Sequence, residues 1–258
     1  MHPQLHLYHI AHDVVAFSST RRGGVSNNSY GEFNINLWCG DSNEHTSRNL
    51  ELLASELGIN ADRIIIPHQV HKTLVRTIDD SFFQLSLPDK AAYLDGVDAI
   101  VTNKFGICIG VSTADCIPVL LYDPVHRVSA AVHAGWRGTQ QRIVVNTIET
   151  MQKQYNCNSC DLQAVIGPGI SLKAFEVGQE VYDAFVDANF DMHLISEKKE
   201  KWHIDLPLCN KLQLIHCGVL ESNIQSSDIC TYSNYNDFFS ARRLGIHSGR
   251  IYTGILMK

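Results

Sequence analysis

The sequence predicts an α+β fold, one domain in which helices pack outside a pair of mixed sheets. Three observations carry this. Val- and Ile-rich segments cluster in the middle of the chain with short turns between them, and amphipathic helical segments bracket them. Neither a G-x-G-x-x-G nor a G-x-x-x-x-G-K marks a regular βαβ nucleotide-binding fold. No repeat, low-complexity tract or Pro/Gly/Ser linker divides the chain, so residues 1–258 are read as a single domain.

Taken in order, a strand over 14–18 leads into a Gly-rich turn, TRRGGVSNNSYG. A helix over 44–57 carries Leu50, Leu53, Ala54 and Leu57 on one face, and Gly58 stops it. Strands are predicted at 63–66, 70–78, 98–102, 107–112, 117–122 and 128–133. A long helix runs from Thr139, its N-cap, to Tyr155, with Ile143, Val144, Ile148 and Met151 as its apolar stripe. A strand at 162–166, helices at 176–188 and 206–217, and strands around 229–232, 238–241 and 251–256 complete the chain.

Composition narrows the function classes. The chain has 21 Lys+Arg against 27 Asp+Glu, a net charge of -6 that offers no electrostatic footprint for duplex DNA or an anionic membrane. No apolar run approaches the roughly 18 residues of a membrane span. The first 13 residues carry four histidines rather than the apolar core of a signal peptide. The eight cysteines are scattered, several inside apolar runs, as expected of reduced thiols in a cytoplasmic protein. The single C-x-x-C, Cys157 and Cys160, has no second pair beside it and reads as two loop thiols.

Three segments are unusual for plain core: PHQVHK (67–72), STADCIP (112–118) and AVHAGWRGT (131–139). Each places a metal-ligating or nucleophilic side chain at the end of an apolar strand. If residues 70–78 form a strand, His68 and His71 face opposite sides, and only one of them joins a common site. With Cys116 and His133, such a histidine makes three ligands with an open fourth position, the pattern of catalytic zinc. The same His₂Cys set is the trigonal core of blue-copper sites. A metal-free alternative has Cys116 as nucleophile and His133 as its base. Asp115, beside Cys116, is expected to raise the thiol pKa. Two Gly-rich loops offer anion sites: Arg137 where the helix from Thr139 begins, and Arg21 with Arg22 in TRRGGVS.

At these residues the sequence resembles the YfiH-type family, also called laccase-domain or multicopper polyphenol oxidase proteins and regarded as purine nucleoside phosphorylases. The resemblance covers about residues 13–256. It rests on STRRGGVS (19–26), NINLWCGD (34–41), QVHK (69–72), DGVDAIVTN (95–103), STADCIPVLLYDP (112–124), AAVHAGWRG (130–138), IGPGI with FEVG, and CTY…FFSARR…SGR (230–250). It implies a single α+β domain with a central mixed β-sandwich flanked by helices. It also implies one zinc held by His71, Cys116 and His133, with His71 preferred over His68. The activity implied is phosphate-dependent cleavage of adenosine, inosine and guanosine to base and ribose 1-phosphate, with methylthioadenosine cleavage and adenosine deamination as side activities. Arg21, Asn36 and Arg137 are then expected to bind phosphate or substrate. The expected partners are small molecules, with no nucleic acid and no membrane, and the protein is a monomer or homodimer. The competing expectation is copper-dependent phenol oxidation. Against it, none of the 13 histidines forms the H-x-H pair that a trinuclear copper cluster uses, and the four methionines lie far in sequence from the ligands.

Overall fold

In a computed structural model that describes residues Met1–Lys258, the Ile117–Asp123 and Val128–Ala134 strands are buried at every position. They read as predominantly apolar runs because both of their faces are covered. Leu120, Tyr122 and Ala131 point into a core shared with a second sheet, whereas Val119, Leu121, Ala130 and Val132 point into a core shared with helices. This antiparallel pair lies at the centre of a six-stranded sheet between Gln163–Ile166 and Ala99–Thr102, with Ile224–Ser226 and Val75–Thr77 outermost. The second sheet has five strands in the order Leu5–Tyr8, Val14–Ser19, Ile251–Met257, Cys108–Thr113 and Ile64–Ile65. Both of these sheets mix parallel and antiparallel pairing, whereas a third, of Glu176–Val177, Trp202–Ile204 and Ser196–Lys198, is antiparallel throughout.

Helices close the sandwich on both sides. The Asn43–Leu57 helix seats Leu53, Ala54 and Leu57 against Phe17, Phe33 and Tyr252 of the five-stranded side. Ser42 caps its start by accepting the His45 N–H, and Gly58 ends it at φ 70°, a left-handed turn that glycine adopts without strain. Ile143–Tyr155, Gln179–Asp187 and Leu206–His216 cover the six-stranded sheet with Ile148, Met151, Phe185 and Leu214. Each such fully buried side chain contributes about 1.5–3 kcal/mol of transfer free energy. The expected α+β sandwich with outer helices is the observed architecture, and no helix is long and apolar enough to cross a membrane.

Several local expectations are corrected. The helix expected from Thr139 is two helices, Trp136–Gln140 and Ile143–Tyr155, broken where Arg142 turns left-handed at φ 64°. Arg142 is held there by its guanidinium, which donates to the Ala188 carbonyl and lies over Phe190; the periodicity carries no sign of this. Thr139 is therefore not an N-cap: it is buried inside the first helix, and its hydroxyl donates to the Ala134 carbonyl. The strand expected over 70–78 shrinks to Val75–Thr77, and the helix expected over 176–188 begins at Gln179, after a Glu176–Val177 strand. Residues 229–232 contribute only a bridge from Cys230 to Gly169, and 238–241 leads into the short Ala241–Leu244 helix instead of a strand. The Leu5–Tyr8 strand and the Asp80–Gln84 and Leu87–Leu94 helices had no counterpart in the sequence reading.

Candidate active site

His133 faces Pro118 across the central strand pair, on the side of Ala131 that looks between the two sheets. Cys116, two residues before Pro118, shares that side by the strand period of two. His71 reaches the same point from the loop before Val75–Thr77. The three ligand atoms lie within 4.8 Å of one another, with His71 exposed, Cys116 half-buried and His133 buried. The His71 and His133 rings meet edge-on with centroids 4.7 Å apart.

Backbone strain and a buried carboxylate hold this convergence. His71 has φ 60°, a left-handed conformation unfavourable for a non-glycine residue. Asp98 stabilises it: its carboxylate accepts the N–H groups of Val70, His71 and Lys72 at 3.3, 3.0 and 2.7 Å. The same carboxylate accepts His133 Nδ1–H at 2.7 Å. Burial alone would raise the Asp98 pKa, but the His133 bond and charge and the backbone N–H groups hold it below the usual carboxylate range. An ionised Asp98 only accepts, so His133 carries its proton on Nδ1 and turns Nε2 toward the cluster. Asp115, also left-handed at φ 87°, is pinned by Thr231 Oγ1–H at 2.7 Å and by the Arg242 N–H at 2.7 Å. Its carboxylate is thereby engaged away from Cys116.

The expectation that Asp115 raises the Cys116 pKa is overturned. Burial pushes the thiol up, but the His133 charge and hydrogen bonds from His133 and His71 outweigh it and hold the thiol at about 6. The reciprocal interaction raises His133 to about 9 against its own desolvation. Gly135 leaves the cluster room: a Cβ there would lie 3.0 Å from both Cys116 Sγ and His71 Cδ2. One thiolate and two imidazoles, one of them carboxylate-oriented, fit a single borderline-soft cation such as zinc.

A cavity of about 380 Å³ opens beside the cluster, within the range of small-molecule sites. Its walls include Asn36, Trp38, His68, Gln69 and Arg250 besides the three candidate ligands. Because 67–74 is a loop and not the strand expected there, His68 and His71 do not face opposite sides: both line the cavity, although only His71 joins the ligand cluster. His68 stacks on Trp38 at 5.0 Å, and its Nδ1 lies 2.6 Å from Asp95. Gln69 pairs with both backbone groups of Ser112, tying the ligand loop to the five-stranded sheet.

A sequence model of the family described as multi-copper polyphenol oxidoreductase laccase matches residues 15–258. The chain belongs to this family. Among other relatives of this laccase-family chain, a protein of Bacteroides thetaiotaomicron named purine nucleoside phosphorylase is 45% identical over 95% of this chain and 92% of its own length. A prokaryotic protein named adenosine deaminase RL5 is 41% identical over 95% of this chain and 94% of its own. The solved structure of the hypothetical protein YfiH of Bacillus licheniformis superposes with a TM-score of 0.91 at 27% identity, covering 99% of this chain and 97% of that one. The family resemblance and the fold read from the sequence are thus borne out.

Of the other residues singled out in the sequence, Asn36 lines the cavity of this laccase-family chain, whereas Arg21 and Arg137 lie outside it. Arg21 donates to the Tyr235 carbonyl at 2.8 Å and covers Phe239, bordering a separate polar cleft with Arg22 and Glu32. Arg137 is exposed and lies over Trp136 at 4.2 Å, and its helix has only five residues. Sequence reading missed Asp98, Trp38 and Arg250. Asp98 had a signal, an acid directly before the buried strand run AIVT. Asp123, His126 and Cys157 form a second His/Cys/Asp group at the far end of Ile117–Asp123. There the Asp123 carboxylate already accepts the Val125 and His126 N–H groups and bonds His126 Nδ1, an arrangement that closes the turn.

Proposed function

We propose that this chain, over 1–258, is a zinc-dependent purine nucleoside phosphorylase of the cytoplasm with a secondary adenosine deaminase activity. The observation that carries the reading is a single His₂Cys cluster, His71, Cys116 and His133, opening on a cavity with an aromatic wall and one guanidinium. The names of the relatives at 45% and 41% identity point the same way.

The three ligands would hold the zinc through His71, Cys116 Sγ and His133 Nε2. When bound, zinc supplies Lewis acidity without redox chemistry. The chain's own groups do the rest. Asp98 keeps the proton on His133 Nδ1, so the imidazole remains a ligand rather than a competing acid. Trp38, 46% exposed beside the cavity, offers an aromatic surface to a purine ring. In phosphorolysis the bond from C1′ to the purine nitrogen breaks, a phosphate oxygen bonds C1′, and the purine nitrogen takes a proton. We assign that proton to His68, because its ring lines the cavity and its Nδ1 pairs with Asp95, which leaves Nε2 as the nitrogen without a protein partner.

Phenol oxidation at a multicopper centre, the activity in the family's name, finds little support here. The cavity presents three histidines, His68, His71 and His133, of which two belong to the cluster. The deciding experiment incubates zinc-loaded protein with inosine, with and without phosphate, and assays hypoxanthine and ribose 1-phosphate. A parallel copper-loaded sample receives a phenolic dye. Phosphate-dependent hypoxanthine release, absent in Cys116→Ala, is the expected result. Phenol turnover with copper and no nucleoside cleavage under any condition overturns the reading.

A further inference from the structure

The 14 residues lining the cavity include one guanidinium, that of Arg250, and no carboxylate. Arg250 Nη1 donates to the Ser248 and Gly249 carbonyls, and Nη2 donates to the Ile246 carbonyl at 2.9 Å. These acceptors fix the guanidinium plane but are neutral, and no carboxylate pairs with it. Nε–H and one Nη2 hydrogen have no acceptor in the protein, a pair of donors matched to an oxyanion.

Asn36 supplies a second free donor. It is 9% exposed, and its Oδ1 accepts the Trp38 N–H at 2.9 Å, which fixes the amide and leaves Nδ2 without a protein acceptor. Asn34, fully buried, ties the two segments together: its Oδ1 accepts the N–H groups of both Asn36, at 3.3 Å, and Arg250, at 3.0 Å. On the same cavity wall the hydroxyls of Ser112 and Thr113 are buried without partners. Free donors, one guanidinium and no carboxylate make this a place for a tetrahedral oxyanion.

We propose that Arg250 and Asn36, held in register by Asn34, form the inorganic phosphate subsite of the cavity; phosphate or substrate binding is expected from the sequence for Asn36 together with Arg21 and Arg137, and Arg250 takes the place of those two arginines. This deepens the phosphorylase reading and rests on it only for the use made of the phosphate. Phosphate so placed lies beside the His/Cys cluster, where the nucleoside must also bind.

The test titrates inorganic phosphate, and separately adenosine 5′-monophosphate, into zinc-loaded wild type, Arg250→Gln and Asn36→Asp by calorimetry, with zinc content and KM for phosphate measured in parallel. Arg250 also braces its own loop, so Asn36→Asp, which keeps the Trp38 bond and adds a repelling charge, is the independent variant. The expected result is phosphate affinity about ten- to a hundredfold weaker in both variants with zinc retained. Unchanged phosphate affinity in folded, zinc-replete variants overturns the subsite even where nucleoside is cleaved. Dependence on Arg250 confined to the nucleotide overturns it as well, in favour of a phosphate-ester site. Phosphate binding that depends on Arg250 and Asn36 in a protein that cleaves no nucleoside supports the subsite and overturns the phosphorylase reading instead.

Discussion

The Asp98 carboxylate accepts a hydrogen bond from His133 Nδ1 at 2.7 Å, and both side chains are almost fully buried. The same carboxylate gathers three successive backbone N–H groups at 70–72, so one acid orients one candidate ligand and sets the backbone of another. Asp98→Asn keeps the shape but removes the acceptor-only character that dictates the His133 tautomer. Zinc affinity, measured by chelator competition, is expected to fall about 10–100-fold while the fold is retained. Wild-type affinity in this variant would show that Asp98 is merely packed there.

Cys116→Ala and His133→Ala are expected to lose nearly all bound metal, because each removes one of three ligand atoms from a cluster that spans 4.8 Å. His68→Ala is expected to keep its metal and to lose about 100- to 10,000-fold in kcat for nucleoside cleavage through loss of the proton-holding imidazole. Metal analysis of the three purified proteins, together with turnover of His68→Ala, separates ligand from acid. Full zinc in both ligand variants would defeat the assignment.

In metal-stripped protein, Cys116 is expected to be the fastest thiol to react with iodoacetamide. Its rate is present above about pH 6 and lost as pH falls through that value, because protonation removes the thiolate. His133, raised to about 9, is still protonated at neutral pH, so metal uptake there releases a proton from the imidazolium rather than from the thiol. Cys108, pushed up to about 12 by burial, is expected to be inert over the same range. Mass-spectrometric mapping of alkylation against pH checks the order, and a Cys116 profile centred near the ordinary thiol value would contradict it.

Gly135→Ala leaves the backbone unstrained, since φ is -66°, but sets a methyl 3.0 Å from Cys116 Sγ and His71 Cδ2. The expected outcome is a folded protein with unchanged far-UV circular dichroism, weaker metal binding and reduced activity. Intact metal affinity would mean that the cluster tolerates displacement of two of its members.

The sequence alone determined the sandwich and its covering helices. Strands buried on both faces, such as Ile117–Asp123, must be mostly apolar, and the Asn43–Leu57 helix must show its stripe and its Gly58 stop, so local pattern and global burial agree. Cys116 and His133 were legible for the same reason, as polar exceptions at the ends of apolar runs. Tertiary structure decided what depends on distant partners. The left-handed turns at His71 and Arg142 carry no Gly or Pro signal, because Asp98 holds the first and the Ala188 carbonyl and Phe190 hold the second. Whether an Arg faces the cavity was likewise not local: Arg21 and Arg137 sit in inviting Gly-rich motifs yet lie outside it. Arg250 enters it because Asn34, 216 residues earlier, fixes its backbone there. Local propensity and period are written within a few residues of each other; the direction of a side chain at a site is set by hydrogen bonds closed across the whole chain.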